Sequence, residues 1–340
     1  MRSAILVEPQ RVELREVPTP QPSPGSMVVR VRAALTDGTD LKAWRRGHPQ
    51  MPMPTPFGHE FSGDVAAVGV NVQRFKPGDA VMCVHSAPCG TCWWCKRDEE
   101  ELCESVMSTK ILGAYAEYIE VPSHIIERNC YPKPPELSYE AAAFLEPLSC
   151  VEHSLSVLNS APDALVVVMG DGGFGLMHAM LLRRRGSRPV LVGHHDDRLE
   201  LAKQLGIELL VNESRTDARA VVLGLTEQRG ADAVIECTGR KDVWEAVPDL
   251  VRRGGTVSFF GGLPGDARVS FSAARMHYDE VRLISPFHFG PASVRRAYEL
   301  LAHGDFDPRP LITDTVPLDQ IESIFKRLDS GGGIKFAIVP

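Results

Sequence analysis

No apolar run in this chain approaches the roughly 20 residues that a membrane-spanning helix needs. The N-terminal stretch MRSAILVEPQRVELREV alternates like a strand and turn, and lacks the continuous apolar segment of a signal peptide. A basic stripe is missing too, and the net charge is -7, which argues against nucleic acid as a partner. There is no low-complexity stretch and no obvious repeat. These absences leave a cytoplasmic, globular chain with a small-molecule partner as the expectation. At 340 residues it exceeds one ordinary core and fits two domains, and 44% hydrophobic with 24% charged residues is an ordinary globular balance.

Cysteine is the first thing present in an unusual pattern. Cys89, Cys92, Cys95 and Cys103 lie in PCGTCWWCKRDEEELC with the spacing C-x2-C-x2-C-x7-C. Clustered thiolates suit a closed tetrahedral zinc site, and a chain of this size without a secretion signal is expected to use them for metal rather than disulfides. Cys83, Cys130, Cys150 and Cys237 are scattered, and each is read as a small buried core residue.

Up to about residue 150 the chain reads as β-rich. Short alternating runs at Met27–Ala33, Ser62–Val68 and Asp79–Val84 are separated by turns such as PTPQPSPG, PQMPMPTPFG and Pro77-Gly78. From Leu145 onward strand and helix signals alternate, as in a parallel doubly wound sheet. Strands are expected at Ala164–Met169, Pro189–Val192, Glu208–Val211, Ala233–Cys237, Thr256–Phe260 and Val281–Ser285. Helices are expected from Gly173 to Arg185, through Arg198–Leu205 and at Val243–Val251. The tail holds a helical stretch at Ser293–Leu301 and a strand-like Lys335–Val339, and is expected to return to the first domain.

The glycines Gly170, Gly172, Gly173 and Gly175 form G-x-G-G-x-G directly after a strand and at the opening of a helix. That setting is the one in which a dinucleotide pyrophosphate meets a helix N-terminus. A ribose-binding acid is expected at the end of the second strand, but Gly193 or His194 stands there and Asp196 and Asp197 come late. Without a carboxylate, repulsion of a 2′-phosphate is relieved, and His194 or Arg198 is placed to contact it. The cofactor is therefore NAD or NADP, with a lean to NADP. The plainer reading of Asp196 and Asp197 is that they begin the next helix, where acids are favoured.

Gly58-His59-Glu60 follows a proline-rich turn, Asp37-Gly38-Thr39-Asp40 lies upstream and Leu145-Glu146-Pro147 downstream. Asp37, His59 and Glu146 together offer the donors of an open catalytic zinc shell completed by water. Asp37 also suits a turn, stabilised through its own backbone.

With the four-cysteine lobe, the GHE turn, the EPLS segment, the GxGGxG turn and the late GG-x-V-x-F-F-G strand, Gly254–Gly261, the whole chain resembles the medium-chain, zinc-dependent alcohol and polyol dehydrogenase family. The sorbitol-type branch is the one it most resembles. The resemblance implies an α/β fold, a Rossmann doubly wound parallel sheet plus a β-rich GroES-like catalytic domain. It assigns residues 1–150 and 288–340 to the catalytic domain and 151–287 to the dinucleotide-binding domain. It implies one structural and one catalytic zinc, a homodimer or homotetramer, and reversible oxidation of a secondary alcohol on a sugar, polyol or cyclitol. Thr39 falls at the family's proton relay, Glu60 enters the metal shell transiently, and Trp44 is a candidate wall of the substrate pocket. Two departures stand out: Asp37 replaces the usual cysteine ligand, and Lys42 stands where a relay histidine is common. Two rivals remain, a zinc-independent quinone or enoyl reductase on the same scaffold and a non-catalytic nucleotide-binding protein.

Overall fold

The computed structural model describes all residues, Met1–Pro340, in two compact units. One comprises Met1–Cys150 and Phe289–Pro340, the other Val151–His288.

The first unit is built on a seven-stranded sheet whose central strand is Met27–Leu35. Its outward Arg30 and Arg32 interrupt an otherwise buried run, the alternation of a strand with one solvated side. Glu60–Val68 pairs antiparallel with it, Leu35 opposite Glu60, and Ala80–Cys83 pairs antiparallel with that strand, Phe61 opposite Cys83. Tyr118–Val121 and Lys335–Val339 also pair with the central strand, the latter with Ala337 opposite Leu35. A smaller sheet holds Arg2–Glu8, Arg11–Glu16 and Thr55–Pro56. Phe57, Phe61, Tyr115, Phe325 and Phe336 are buried in one core, each large side chain contributing about 1.5–3 kcal/mol by leaving water.

The second unit is a six-stranded, all-parallel sheet. Its order is Leu209–Asn212, Arg188–Gly193, Leu165–Met169, Ala231–Glu236, Val251–Phe259 and Arg282–Ile284. That is the doubly wound dinucleotide-binding order, in which direction reverses beside the first strand. All five residues of Leu165–Met169 are buried, as a strand covered on both faces requires.

Several expectations need correction. The helix expected at Val243–Val251 is instead Lys241–Ala246 followed by a 3-10 turn, Val247–Leu250, because Pro248 brings no N–H to continue an α-helix. The segment after the helix Pro291–Ala302 holds a strand, Ile312–Pro317, and a helix, Ile321–Asp329, both unforeseen. Cys83 and Cys130 are buried as expected, but they face each other in the ladder and are joined as a disulfide. No helix is long and apolar enough to cross a membrane.

Candidate functional site

Strand register assembles the first cluster. Asp37 lies just past the central strand and His59 just before its partner, so the antiparallel pairing brings them side by side. Continuing the Phe61–Cys83 register sets His85 opposite His59, and their rings meet edge to face with centroids 5.0 Å apart. Gly58 permits the turn before His59: its φ is +88°, and a Cβ there would stand 2.7 Å from the Tyr115 ring.

Asp37 is the N-cap of the helix Gly38–Arg46, and its Oδ2 accepts the Thr39 N–H at 2.7 Å. Its Oδ1 is buried with no hydrogen-bond partner. One oxygen of the Asp37 carboxylate thus serves the turn while the other is left for a further partner, so the turn-stabilising and metal-binding readings are compatible. One turn on, Asp40 lies 3.1 Å from His59 Nδ1 and 2.5 Å from the Tyr115 hydroxyl. A carboxylate accepts only, so Nδ1 carries a proton towards Asp40, which turns Nε2 towards Asp37, 3.7 Å from its Oδ2.

Donor atoms of Asp37, His59 and Glu60 all lie within 4.8 Å of one another. Glu60 is fully buried, and Lys335 Nζ donates to its two oxygens at 2.8 and 2.6 Å and to the Thr36 carbonyl at 2.7 Å. Glu146, from the first turn of the helix Leu145–Leu158, places Oε1 3.2 Å from His85 Nδ1 and 3.8 Å from Cys150 Sγ. It is outside the tight trio.

Charge supplies the fit test for a metal. Asp37, Asp40, Glu60 and Glu146 are each at most 6% exposed, against a single buried ammonium, Lys335. Burial would lift Asp37, but Lys335, His59 and the Thr39 N–H outweigh it and hold the carboxyl below its usual range. Burial pulls His59 down, yet Asp40, Glu146 and Asp37 carry it well above the ordinary histidine value. A site this rich in buried carboxylates, with one orphaned oxygen and an imidazole nitrogen turned towards it, fits a cation with N and O ligands.

Thr39 is half-buried on the same helix. Lys42, also half-buried, is felt at His48, which burial, Lys110 and then Lys42 hold below its usual value. Trp44 is only 3% exposed and stacks on Phe325 at 6.2 Å, so it is core rather than a pocket wall.

The four sulfurs of Cys89, Cys92, Cys95 and Cys103 also converge, all within 4.8 Å. Hydrogen bonds from Thr91 and the Cys92 N–H bring the Cys89 thiol down to about 5, while burial and the neighbouring Cys92 push Cys95 up to about 12. Four sulfurs that converge in this way fit a closed tetrahedral metal.

In the second unit Gly170 has φ +111°, turning the chain sharply after the first strand. A Cβ on Gly175 would stand 1.8 Å from the Gly170 carbonyl, whereas one on Gly172 would meet nothing within 4 Å. Close packing at one glycine and open space at another, before the uncapped N-terminus of the helix Gly173–Arg184, fit a pyrophosphate. Asp196 and Asp197 do begin the helix Asp196–Gln204. His194 is exposed, its Nε2 3.6 Å from Glu213 and its Nδ1 3.3 Å from Ser214 Oγ. The premise of an acid-free strand end is corrected here, because Asp171 of the glycine turn fills the space beside Gly193.

Sequence reasoning missed Asp40, His85, Lys335 and Asp171. Asp40 lies within the DGTD motif, three residues from Asp37 and so on the same helix face. Lys335 had a signal as well, a charged residue opening an apolar strand.

A sulfur-rich lobe, a buried N/O cation site and a dinucleotide-type sheet in one chain define a zinc-type dehydrogenase. Two family models match: alcohol dehydrogenase GroES-like domain over residues 23–134, and zinc-binding dehydrogenase over residues 173–303. Sorbitol dehydrogenase of Bacillus subtilis is 28% identical over 96% of this chain and 93% of its own. An L-threonine 3-dehydrogenase of Rhizobium johnstonii is 26% identical, covering 98% and 97%. Among solved structures, a protein assigned as a zinc-binding dehydrogenase of Sinorhizobium meliloti, bound to NADP, superposes with TM-score 0.90 at 27% identity, covering 100% and 99%. The chain belongs to the medium-chain, zinc-type alcohol and polyol dehydrogenase family, whose members are NAD(P)-dependent oxidoreductases.

Proposed function

We propose that this protein interconverts a secondary alcohol of a sugar, polyol or cyclitol and the corresponding ketone, with NAD or NADP as hydride carrier. One observation carries the reading: ligand atoms of Asp37, His59 and Glu60 converge within 4.8 Å of one another in a buried cluster, and Asp37 Oδ1 is left there without a hydrogen-bond partner. Asp37 and His59 hold a catalytic zinc, with Glu146 as a further donor, and the cysteine quartet holds a structural one. When bound, zinc supplies Lewis acidity that lowers the pKa of an alcohol, and nicotinamide supplies the hydride acceptor.

The chain's own residues do the rest. Asp40 keeps the proton on His59 Nδ1, and Tyr115 keeps Asp40 in place. Lys335 clamps Glu60, so Glu60 would be available as a further metal ligand only with that clamp loosened. Thr39 Oγ1 passes the substrate's proton outward, and Lys42 is an alternative relay. Gly170, Gly172, Gly173 and Gly175 cradle the pyrophosphate. At the ribose, Gly193, His194 and Arg198 favour NADP, and the Asp171 carboxylate opposes it. Sorbitol and threonine, named in two relatives, both carry secondary hydroxyls, which supports a secondary alcohol as substrate, and sorbitol is itself a polyol. A homodimer or homotetramer in the cytoplasm is the expected form.

A screen of polyols, sugars and hydroxy amino acids with both cofactors, before and after zinc removal by a chelator, tests the reading. Turnover of a polyol that disappears with zinc and returns on its readdition is expected. Zinc-independent reduction of a quinone or enoyl compound would replace it with the reductase alternative.

A further inference from the structure

Asp171, between the first two glycines of the nucleotide turn, is only 5% exposed, and its carboxylate lies at the end of the second strand. A Cβ built on Gly193 would stand 2.3 Å from Asp171 Oδ2, 2.4 Å from Cγ and 2.5 Å from Cβ. No side chain fits on Gly193 while Asp171 holds that position. The space a strand-end acid would reach into is already taken by an acid from another segment.

The carboxylate is fixed there. Oδ2 accepts the backbone N–H of His194 at 2.9 Å and of His195 at 2.8 Å. Oδ1 lies 3.0 Å from His195 Nδ1 and 3.7 Å from the Arg198 guanidinium. Arg198, one of the two basic groups that would meet a 2′-phosphate, thus already has a carboxylate beside it, and the other, His194, is turned towards Glu213.

We infer that Asp171 is the specificity-determining carboxylate of the cofactor site, doing from the glycine turn what a strand-end acid does in NAD-binding sheets, and that it favours NAD over NADP. A ribose hydroxyl donates a hydrogen bond to a carboxylate, whereas a phosphate beside one meets like charge. This rests on the second unit binding a nicotinamide dinucleotide. It departs from the expectation drawn from Gly193 alone.

The test measures dissociation constants of NADH and NADPH for the full chain by fluorescence titration, with melting temperature followed alongside. Asp171→Asn keeps an acceptor for the two backbone N–H groups and removes the charge. The parent should bind NADH more tightly than NADPH, and D171N should shift the ratio towards NADPH by about tenfold or more. Gly193→Ala, which forces the carboxylate aside, should weaken NADH while sparing NADPH. An unchanged ratio in D171N, or equal weakening of both cofactors with a lower melting temperature, overturns the inference by reducing Asp171 to a loop scaffold. Tighter NADPH binding by the parent also overturns it. If the parent binds neither cofactor, the nucleotide reading itself fails and the inference with it.

Discussion

Asp40 accepts the His59 Nδ1 proton, and truncating it to Ala leaves the imidazole free to rotate and to choose the wrong tautomer. Such losses typically lower metal affinity or activity by about 10–100-fold. Chelator competition on Asp40→Ala measures this directly, and unchanged zinc affinity would remove Asp40 from the metal's support. Lys335 makes a different prediction. Burial works against its charge, but Glu60 and Asp37 outweigh that and hold its pKa above the ordinary lysine value. Lys335→Met strands the buried Glu60 carboxylate and should lower unfolding free energy by roughly 3–5 kcal/mol, with much of the loss recovered in the double variant with Glu60→Gln. Denaturant titration of the three variants decides it; no recovery in the double variant would mean the ion pair is not what the single change breaks. His178 titrates with stability. Burial first, and Arg185 next, bring it down to about 4 from the ordinary 6.5, despite its bond to the Phe174 carbonyl. Below pH 6.5 the unfolded chain takes a proton that the fold refuses, so stability falls as pH drops from about 6.5 to 4 and is fully present above. The difference is about 3 kcal/mol, and His178→Asn should flatten the slope in that window relative to the parent. Equal slopes would mean that other groups govern the acid limb.

At the scale of elements, the cysteine lobe has little besides metal to hold it. Between Cys89 and Cys103 there are only two single-turn 3-10 segments, and the small apolar cluster there consists of the sulfurs with Val106 and Met107. Cys95→Ser should therefore cost one zinc and lower the melting temperature or solubility, while turnover per folded molecule survives. A variant as stable as the parent and with the same zinc content would contradict the assignment. The sheets show why some of this was legible in the sequence and some was not. The parallel strands are short apolar runs such as Leu165–Met169 alternating with helices, a local pattern that sequence alone displays. The antiparallel unit is harder to read: Tyr118–Val121, Ser123–Asn129 and Ile312–Pro317 have weak local signals and take their shape from pairing and packing. The Gly38–Arg46 helix is nine residues long, and its Asp37 cap is masked by the ligand-like DGTD run that opens it.

Across the molecule, the candidate site draws on residues spread from Asp37 to Lys335, and register rather than sequence proximity unites them. GHE and DGTD announced themselves as motifs. His85 and Lys335 did not, because nothing local says that the strand ends bearing them meet beside His59. Asp171 is hidden differently, inside a motif whose signature is its glycines. The central claim is that this buried meeting point, in addition to the cysteine lobe, holds a zinc. Metal analysis of the purified chain and of Asp37→Ala tests it most directly. The account predicts two zinc ions per chain in the parent and about one in the variant, with nearly all turnover lost, cofactor affinity kept, and metal restored by Asp37→Cys. One zinc per chain in both proteins, or an undiminished two in Asp37→Ala, would contradict it.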